Sequence, residues 1–264
     1  MTRIKNKNFK PQAIIFDKDG TLIDFDVMWG GWTIHLAEQL CQASGVNVRE
    51  ALCLAMGYDR HRKKALANSM LASNPMARLY DLTIEVMQSQ GLGKPESLKL
   101  VEKVWCIPNP VILAKPFTDM RALFSQLTEQ GIKIAVATAD DSAPTQAMVD
   151  AFEIGEYISC MSCADDGIPS KPAPDMVLTL CEQMDVKPSE VMVIGDTISD
   201  LKMARAAGAG LAVGVLSGVS SARDLVGSAD MLIESIDELN KFVLNLTVDD
   251  SYQVNNGLNP DFAF

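Results

Sequence analysis

The stretch that decides the fold is IIFDKDGTLID, residues Ile14–Asp24, in which a short apolar run leads directly into Asp17 and Asp19. Aspartate and glycine are common turn residues, so Asp17, Asp19 and Gly20 by themselves fit an ordinary turn as well as a catalytic loop. The choice between these interpretations depends on what the other strand ends of the chain carry.

Apolar runs of this kind recur along the chain, and each lies beside a stretch whose apolar residues have helical spacing. They are AIIF at 13–16, IKIAVAT at 132–138, EVMVIGD at 190–196, LAVGV at 211–215 and DMLIE at 230–234. Near-continuous apolar strands that alternate with helices are typical of a parallel sheet buried on both faces. The sequence therefore predicts an α/β fold with a doubly wound, Rossmann-like parallel sheet.

This alternation is interrupted after the first strand. Residues 25–115 contain helical stretches such as WTIHLAEQLCQAS and PMARLYDLTIEVMQSQG, with no convincing strand, which predicts an inserted helical cap domain. We therefore expect residues 10–24 and 116–246 to form an α/β catalytic core. Residues 247–264 lack periodicity and are expected to form a C-terminal tail outside both domains.

Composition excludes several functional classes. The 264-residue chain has a formal charge of −11, which disfavours a nucleic-acid or anionic-membrane surface, because phosphates attract a basic footprint. No apolar run approaches the roughly 18 residues that span a bilayer, and the basic N-terminal stretch lacks the apolar core of a signal peptide. We expect a cytoplasmic protein, monomeric or homodimeric, without a nucleic-acid or membrane partner.

The six cysteines include one CxxC pair, Cys160 and Cys163. A zinc site would need further ligands, but the two histidines, His35 and His61, are remote in sequence. Because side chains three apart on a strand point to opposite faces, the two thiols are not expected to meet. We predict buried, reduced cysteines here instead of a redox or metal site.

The predicted strand ends carry polar and charged side chains, and ligands bind at this edge in open parallel sheets. These residues are Asp17, Asp19, Thr138, Asp140, Lys171, Asp196 and Asp200. A single residue such as Asp200 or Thr197 in GDTISD could simply be a helix N-cap. Four separate loops that bring carboxylate, hydroxyl or ammonium groups to one edge favour a ligand site.

Clustered carboxylates without histidine suit a hard cation with oxygen ligands, and Mg²⁺ is the prime candidate. In proteins this ion usually takes one or two carboxylates together with a substrate phosphate. The Lys171 ammonium and the Thr138 hydroxyl are groups that a bound phosphoryl group would require. The set therefore indicates phosphoryl transfer with an aspartate nucleophile.

These residues resemble the motifs of the haloacid dehalogenase superfamily, in its phosphatase branch. DKDGTLID resembles the first motif, VAT ending at Thr138 the second, Lys171 in KPAPD the third and GDTISD the fourth. Their order and spacing agree with that family, and the helical stretch lies where one class of the family carries its cap. The resemblance covers most of the chain and excludes the tail.

The resemblance implies a role for each carboxylate. Asp17 would attack phosphorus and form an aspartyl-phosphate, and Asp19 would protonate the leaving oxygen and later deprotonate the hydrolytic water. Mg²⁺ would be held by the Asp17 carboxylate, the Asp19 backbone carbonyl and Asp196. Asp200 would be a further ligand or would orient one. Gly20 would allow the sharp turn after Asp19.

The resemblance also implies the phosphate-binding groups. Thr138, nearby backbone N–H groups including that of Ala139, and Lys171 would hold the non-bridging oxygens. Ala139 stands where relatives often have asparagine, so a backbone donor is kept and a polar contact is lost. Asp140 and Asp141 add negative charge that could influence substrate choice, but we interpret them chiefly as caps of the following helix.

Three further features carry weaker signals. Alternation along the strand predicts that Lys18 points away from the site. Trp29 and Trp32 fit either the wall of a cleft between cap and core or ordinary aromatic packing. The basic run DRHRKK at 59–64 could contact an anionic substrate, although charge runs usually form solvated faces.

The resemblance implies a magnesium-dependent phosphatase for a small phosphorylated metabolite, with a phosphoglycolate-like monoester as the leading substrate. A phosphosugar mutase, or another phosphohydrolase of the same family such as a pyrophosphatase, would use the same core residues. A non-enzymatic receiver-type module also combines an acceptor aspartate, Mg²⁺ and a lysine on an α/β sheet. The helical insertion and Asp19 argue against that module.

Overall fold

The structure is a computed structural model that describes residues 9–67 and 69–239. Residues 240–246 of the predicted core and the predicted tail, 247–264, lie outside the described residues. The strands are β1 (Ala13–Phe16), β2 (Tyr58–Asp59), β3 (Lys64–Ala65), β4 (Lys133–Ala137), β5 (Ile158–Ser162), β6 (Val191–Gly195), β7 (Leu211–Val215) and β8 (Met231–Ile233).

One parallel sheet contains six of these strands, in the order β5-β4-β1-β6-β7-β8. Ile14 of β1 lies opposite Ile134 of β4 and Met192 of β6, so β1 is central. The chain fills one side of β1 first and the other side afterwards. The carboxyl end of β1 is therefore the switch point at which open α/β sheets bind ligands. The predicted doubly wound α/β fold is confirmed.

Helices connect these strands. They are α1 (Gly31–Ser44), α2 (Arg49–Met56), α3 (Met70–Ser73), α4 (Met76–Ser89), α5 (Lys94–Val104), α6 (Pro110–Leu113), α7 (Met120–Glu129), α8 (Ser142–Ala151), α9 (Asp175–Met184), α10 (Ile198–Ala207) and α11 (Ala222–Leu225). A π-helical turn, Asp26–Gly30, precedes α1, and 3₁₀ turns cover Gly155–Tyr157, Pro188–Glu190 and Ile236–Glu238. Across 9–67 and 69–239, no helix combines the length and the apolar character that a bilayer span requires.

Both faces of the sheet are buried, because successive strand side chains point to opposite sides. Phe16 packs on one face against Phe124 of α7, with ring centroids 5.3 Å apart. Ile15 lies on the other face, in a cluster with Leu180 of α9 and Leu201 of α10. All five side chains are fully buried. This two-sided burial explains why the strands read as continuous apolar runs.

The connection from β1 to β4 is mostly helical, and we call residues 25–115 the helical segment. The prediction that it holds no strand is wrong, because β2 and β3 form a short antiparallel hairpin in which Tyr58 pairs with Ala65. The Asp26 carboxylate accepts a hydrogen bond from the Ala65 N–H at 2.6 Å. Contact with another part of the chain therefore supports these short strands, whose polar sequence lacks a strand pattern.

The chain enters and leaves the helical segment at adjacent positions. Ile23 bridges to Pro116 in antiparallel orientation, and the Asp24 N–H donates to the Lys115 carbonyl at 2.8 Å. Ile23 also bridges to Asp19. Both connections thus lie beside the loop that follows β1. That residues 25–115 act as a separate cap domain stays a prediction.

Candidate active site

Asp17 and Lys171 form a buried ion pair at the end of β1. The Lys171 ammonium, from the loop between β5 and α9, lies 2.6 Å from Oδ1 of Asp17 and 2.6 Å from Oδ1 of Asp200. Burial alone would lower the pKa of Lys171, but the two carboxylates outweigh it and raise this pKa above its usual value. The lysine therefore stays an ammonium and fixes both carboxylates.

Three carboxylates converge on one point. Asp17, Asp196 and Asp200 each offer an oxygen, and these oxygens all lie within 4.8 Å of one another. Burial and repulsion from the Asp200 carboxylate raise the pKa of Asp17 to about 6, although the Lys171 ammonium acts to lower it. Burial also raises the pKa of Asp196 well above its usual value, and the Asp17 and Asp200 carboxylates add to the effect.

This cluster fits a hard cation. Oδ2 of Asp17 and Oδ1 of Asp196 are buried, and no residue that the structure describes donates a hydrogen bond to them. Buried carboxylate oxygens are costly without a partner, and Lys171 alone does not balance three negative charges. An all-oxygen site of this kind suits Mg²⁺.

Asp200 combines a structural role with its place in the cluster. The Thr197 hydroxyl caps α10 by accepting a hydrogen bond from the Asp200 N–H at 3.3 Å. Oδ2 of Asp200 accepts in return from the Thr197 N–H at 3.0 Å and from its hydroxyl at 2.6 Å. The capping interpretation is therefore correct for this pair, yet Oδ1 of Asp200 still faces Lys171.

The loop after β7, which the sequence did not predict as part of the site, completes the surroundings of Asp196. The Val219 N–H donates to Oδ2 of Asp196 at 2.8 Å, and the Ser217 hydroxyl donates to the Gly20 carbonyl at 2.8 Å. A Cβ at Gly218 or at Gly20 would overlap the Asp196 carboxylate, and Gly20 also has a φ of +92°. Ser217 and Gly218, which follow closely after the strand LAVGV, are the residues from which the sequence could have predicted a site loop here.

Asp19 stands apart from the three-carboxylate cluster and is partly exposed. The Trp29 indole Nε1–H donates to its Oδ1 at 2.8 Å, and the Lys18 ammonium lies 2.7 Å from its Oδ2. The side chain of Asp19 is 16% exposed, whereas that of Asp17 is 10% exposed. Asp19 can therefore meet both a bound molecule and water.

The prediction that Lys18 points away from the site is wrong. Its fully buried ammonium lies between Asp19 and Asp140, 3.0 Å from Oδ2 of Asp140. Burial acts to lower the pKa of Lys18, but both carboxylates raise it, and the net pKa is above the usual value. β1 ends at Phe16, so strict alternation no longer governs residue 18.

The assignment of Asp140 and Asp141 as helix caps is also wrong. Asp141 stands at the N-cap position of α8, but its side chain makes no capping hydrogen bond. The cap is supplied by Asp165, whose carboxylate accepts from the Ser142 N–H at 2.8 Å and from the Ser142 hydroxyl at 2.6 Å. Oδ2 of Asp140 instead contacts Lys18, while its Oδ1 accepts a hydrogen bond from the Asp141 N–H at 2.9 Å, and burial raises the pKa of Asp140 despite the Lys18 ammonium.

Thr138 lies where the sequence predicted, at the end of β4 next to β1. It is buried, its N–H donates to the Ser162 carbonyl at 2.9 Å, and its hydroxyl accepts from the Asp140 N–H at 3.1 Å. Ala139 is exposed. Thr138 and Lys171, the two predicted phosphate-binding side chains, come from separate loops, and none of the described hydrogen bonds joins them.

The two tryptophans differ in environment: Trp32 fits the interpretation as aromatic packing, whereas Trp29 contacts a predicted site residue. Trp32 is buried in aromatic packing, and its indole N–H donates to the Cys106 carbonyl at 2.8 Å. Trp29 is also buried, but its indole N–H donates to Asp19.

The basic run at 59–64 forms the tip of the β2–β3 hairpin. Residues 61–64 are exposed, and the Lys64 ammonium lies 2.8 Å from the Asp26 carboxylate.

The structure places the two cysteines of the CxxC pair differently, because Cys163 is buried as expected whereas Cys160 is not fully buried. All six cysteines are unpaired, and Cys106 is exposed. Burial raises the pKa of the Cys163 thiol to about 11, which keeps it protonated. The metal-compatible cluster found in the described part of the chain is the aspartate cluster and contains no cysteine.

Comparison with known proteins agrees with this geometry. The chain is similar to the phosphoglycolate phosphatase of Aquifex aeolicus, with 24% identity over 197 residues that cover 75% of this chain and 81% of that protein. It is also similar to the N-acetylmuramic acid 6-phosphate phosphatase of Pseudomonas aeruginosa, with 23% identity over 204 residues that cover 76% of this chain and 80% of that protein.

Solved structures show the same fold. A crystal structure from Thermotoga maritima, provisionally assigned as a β-phosphoglucomutase, has a TM-score of 0.65 and 21% identity and covers 88% of this chain and 98% of that chain. Residues 11–208 match the family described as haloacid dehalogenase-like hydrolase. The resemblance read from the four motifs is thus confirmed, and the chain is an enzyme that belongs to the haloacid dehalogenase-like hydrolase family.

Proposed function

We propose that this enzyme is a magnesium-dependent phosphatase that hydrolyses a small phosphorylated metabolite through an aspartyl-phosphate intermediate. The observation that carries the proposal is the environment of Asp17. One of its oxygens is fixed by Lys171, and the other is buried without a hydrogen-bond donor among the described residues. An oxygen of that kind keeps its lone pairs available for phosphorus or for a cation.

Asp17 would be the nucleophile. Attack of one carboxylate oxygen on phosphorus forms the acyl phosphate bond while the bond to the leaving oxygen breaks. Lys171 would hold the Asp17 carboxylate in place and neutralise part of the charge of the phosphoryl group. This arrangement supports in-line attack, because the nucleophile is fixed before the substrate binds.

Asp19 would be the general acid and base. Its partly exposed carboxyl group would give a proton to the leaving oxygen and later take one from the water that hydrolyses the intermediate. Asp17 is buried, whereas Asp19 has access to solvent. This difference supports separate roles for two aspartates that are only two residues apart.

The residues that would hold Mg²⁺ are Asp17, Asp196 and the backbone carbonyl of Asp19. When bound, the ion would supply positive charge against the phosphoryl oxygens. Asp200 already accepts two hydrogen bonds from Thr197 and contacts Lys171. These contacts favour a role for Asp200 in orienting the lysine and the cluster over direct ligation of the metal.

The phosphoryl oxygens would be bound by Lys171, by the Thr138 hydroxyl and by the backbone N–H of Ala139. Thr138 has a fixed orientation because its hydroxyl already accepts from the Asp140 N–H. That leaves the hydroxyl proton free to be donated to an oxygen acceptor. Ala139 adds no polar side chain, so its contribution would come from the main chain alone.

The lead substrate is a phosphoglycolate-like monoester, as the name of the Aquifex aeolicus relative suggests. The Pseudomonas aeruginosa relative carries the name of a different substrate, N-acetylmuramic acid 6-phosphate, so a sugar phosphate is a second candidate. Residues 25–115 would act as the cap that selects among them. We further propose a monomer or a homodimer that acts in the cytoplasm.

Two other activities would use the same residues. A phosphosugar mutase is suggested by the provisional assignment of the Thermotoga maritima structure, and a pyrophosphatase would need only a different leaving group. Both would keep Asp17, Lys171 and Asp196. A non-enzymatic receiver-type module would also keep them, but it gives Asp19 and the helical segment no role.

The test is hydrolysis of p-nitrophenyl phosphate and of a panel that contains 2-phosphoglycolate, N-acetylmuramic acid 6-phosphate, glucose 1-phosphate and pyrophosphate. Each is assayed with Mg²⁺ and with EDTA. We expect phosphate release that requires Mg²⁺ and is fastest with one monoester. Sugar-phosphate isomerisation without net phosphate release would indicate the mutase. Phosphorylation by acetyl phosphate without turnover would indicate the receiver-type module and overturn the proposal.

A further inference from the structure

The Asp19 carboxylate is held from two directions by two parts of the chain. Lys18, its neighbour in the loop after β1, contacts Oδ2 at 2.7 Å. Trp29, in the π-helical turn of the helical segment, donates its indole N–H to Oδ1 at 2.8 Å. The second contact joins Asp19 to the helical segment through one hydrogen bond between two side chains.

Trp29 is itself fixed by a row of aromatic rings, which we call the aromatic row. Its ring stacks on Phe25, with centroids 6.2 Å apart and planes at 28°, and meets the edge of Trp32, with centroids 6.1 Å apart. The ring centroids of Trp32 and Trp105 lie 5.3 Å apart, and those of Trp105 and Tyr80 of α4 lie 5.0 Å apart. Edge-to-face pairs of this kind restrict ring orientation.

The aromatic row spans both ends of the helical segment. Phe25 and Trp29 lie at its start, and Trp105 lies near its return to the core. The Trp32 indole N–H also donates to the Cys106 carbonyl at 2.8 Å, which ties the start to the return. A shift of the helical segment against the sheet would therefore move the indole N–H that holds Asp19.

We propose that Trp29 is a positioning residue through which the helical segment orients the acid–base carboxyl of Asp19. This inference rests on the proposed phosphatase function. Trp29 takes no part in bond making; it fixes the rotation of the Asp19 carboxylate. A proton donor works only within hydrogen-bond distance of the leaving oxygen, so the rotation matters for the chemistry. Without the indole N–H, the Lys18 ammonium would be the remaining described partner of the Asp19 carboxylate, and Oδ1 would be free to rotate about that contact.

The first test compares two aryl esters whose leaving groups differ in basicity, phenyl phosphate and 2,4-dinitrophenyl phosphate. Phenoxide is a strong base and needs the proton that Asp19 would give, whereas dinitrophenolate leaves without it. Trp29→Phe keeps an aromatic ring and removes the N–H. We expect kcat/KM to fall about tenfold for phenyl phosphate and less than about twofold for 2,4-dinitrophenyl phosphate, since a hydrogen bond to a charged group is lost.

Trp105→Phe is the matched control, because it makes the same exchange in the same aromatic row without touching Asp19. We expect its ratio of the two kcat/KM values to equal that of the wild type. Asp19→Asn should shift the ratio further than Trp29→Phe. An equal fall in kcat/KM for both esters in Trp29→Phe would overturn the inference. Reduced folding or a distorted site lowers both rates alike, whereas loss of proton donation lowers only the rate for phenyl phosphate. If Asp19→Asn also leaves the ratio unchanged, the acid–base role of Asp19 fails as well.

A second test does not depend on activity. The chain has three tryptophans, so a ¹⁵N-labelled sample should give three indole N–H signals, and the one lost in Trp29→Phe belongs to Trp29. We expect Asp19→Ala to move that signal and speed its exchange with water, while Trp105→Phe leaves it in place. A Trp29 signal unaffected by Asp19→Ala would overturn the inference. If the wild type hydrolyses neither ester, the proposed function fails, and this spectrum still decides whether Trp29 holds Asp19.

Discussion

Lys171 and Asp17, 154 positions apart in sequence, form a buried ion pair with 2.6 Å between the ammonium and Oδ1. The same ammonium reaches Asp200, so one lysine fixes two of the three clustered carboxylates. The cluster keeps an excess of negative charge, and two of its oxygens lack donors among the described residues. Under the proposed function, this pair would fix the nucleophile Asp17, and a cation would bind beside it.

Asp17→Asn should abolish turnover. The amide keeps the shape of the side chain but is not a nucleophile, so we expect kcat with p-nitrophenyl phosphate to fall by about 10⁴-fold or more. Asp81→Asn, on the exposed side of α4, is the control and should keep full activity. A melting curve checks that Asp17→Asn remains folded. Full turnover by this variant would show that Asp17 is not the nucleophile.

Lys18→Met should destabilise the fold. Removal of a fully buried ammonium leaves Asp19 and Asp140 without their partner, which costs about 3–5 kcal/mol of unfolding free energy. Lys64→Met removes a largely exposed ammonium from Asp26 and should cost less than about 1 kcal/mol. Urea unfolding measures both values.

The double variant Lys18→Met/Asp140→Asn tests the cause of that loss. Neutralising Asp140 removes one of the two unpaired charges, so part of the lost stability should return. If the double variant is less stable than Lys18→Met alone, the ion pair with Asp140 does not explain the effect. A cost of Lys18→Met equal to that of Lys64→Met would contradict the buried position of Lys18.

The sheet could be predicted from sequence because its signal is local. The runs AIIF, IKIAVAT, EVMVIGD, LAVGV and DMLIE contain the strands β1, β4, β6, β7 and β8, since two-sided burial makes each strand continuously apolar. The hairpin of β2 and β3 could not be predicted, because Asp26 supports it from another part of the chain. Polar strands of two residues have no periodicity to recognise.

The site was predictable for residues that directly follow a strand and for residues that the motifs identify, such as Lys171 and Asp200. Asp17 and Asp196 directly follow strands, and the fold alone brings them together. Lys18, Asp140 and Trp29 were misjudged or left undecided, because their orientations depend on contacts between loops. Side-chain alternation ends with the strand, and propensity does not distinguish a helix cap from the partner of a buried lysine.

Gly218→Ala should weaken Mg²⁺ binding. A Cβ at this position would overlap the Asp196 carboxylate, so Asp196 must turn away from the cluster. We expect at least about a tenfold rise in the Mg²⁺ concentration that gives half-maximal activity, the equivalent of one displaced ligand. Gly227→Ala meets no atom within 4 Å and is the control. Unchanged Mg²⁺ dependence in Gly218→Ala would argue against Asp196 as a ligand.

Protons and Mg²⁺ should stabilise the folded protein in opposite pH ranges, protons at low pH and Mg²⁺ at neutral pH and above. Folding raises the pKa of Asp17 from 3.8 to about 6, so the folded chain binds this proton more tightly than the unfolded chain. The metal-free protein therefore gains stability from Asp17 as the pH falls through 6, by up to about 1.4 kcal/mol per pH unit until the unfolded pKa is reached. Asp196, whose pKa is also raised, acts in the same direction.

Mg²⁺ needs ionised carboxylates and competes with these protons. At pH 7.5 and about 100 times its Kd, the ion should raise Tm by about 5–10 °C, and by much less at pH 5.5. Thermal unfolding with Mg²⁺ and with EDTA at both pH values measures this difference. Asp17→Asn should lose most of the Mg²⁺ effect, while Asp81→Asn should keep it. An equal effect of Mg²⁺ at both pH values would mean that the ion binds away from Asp17 and Asp196.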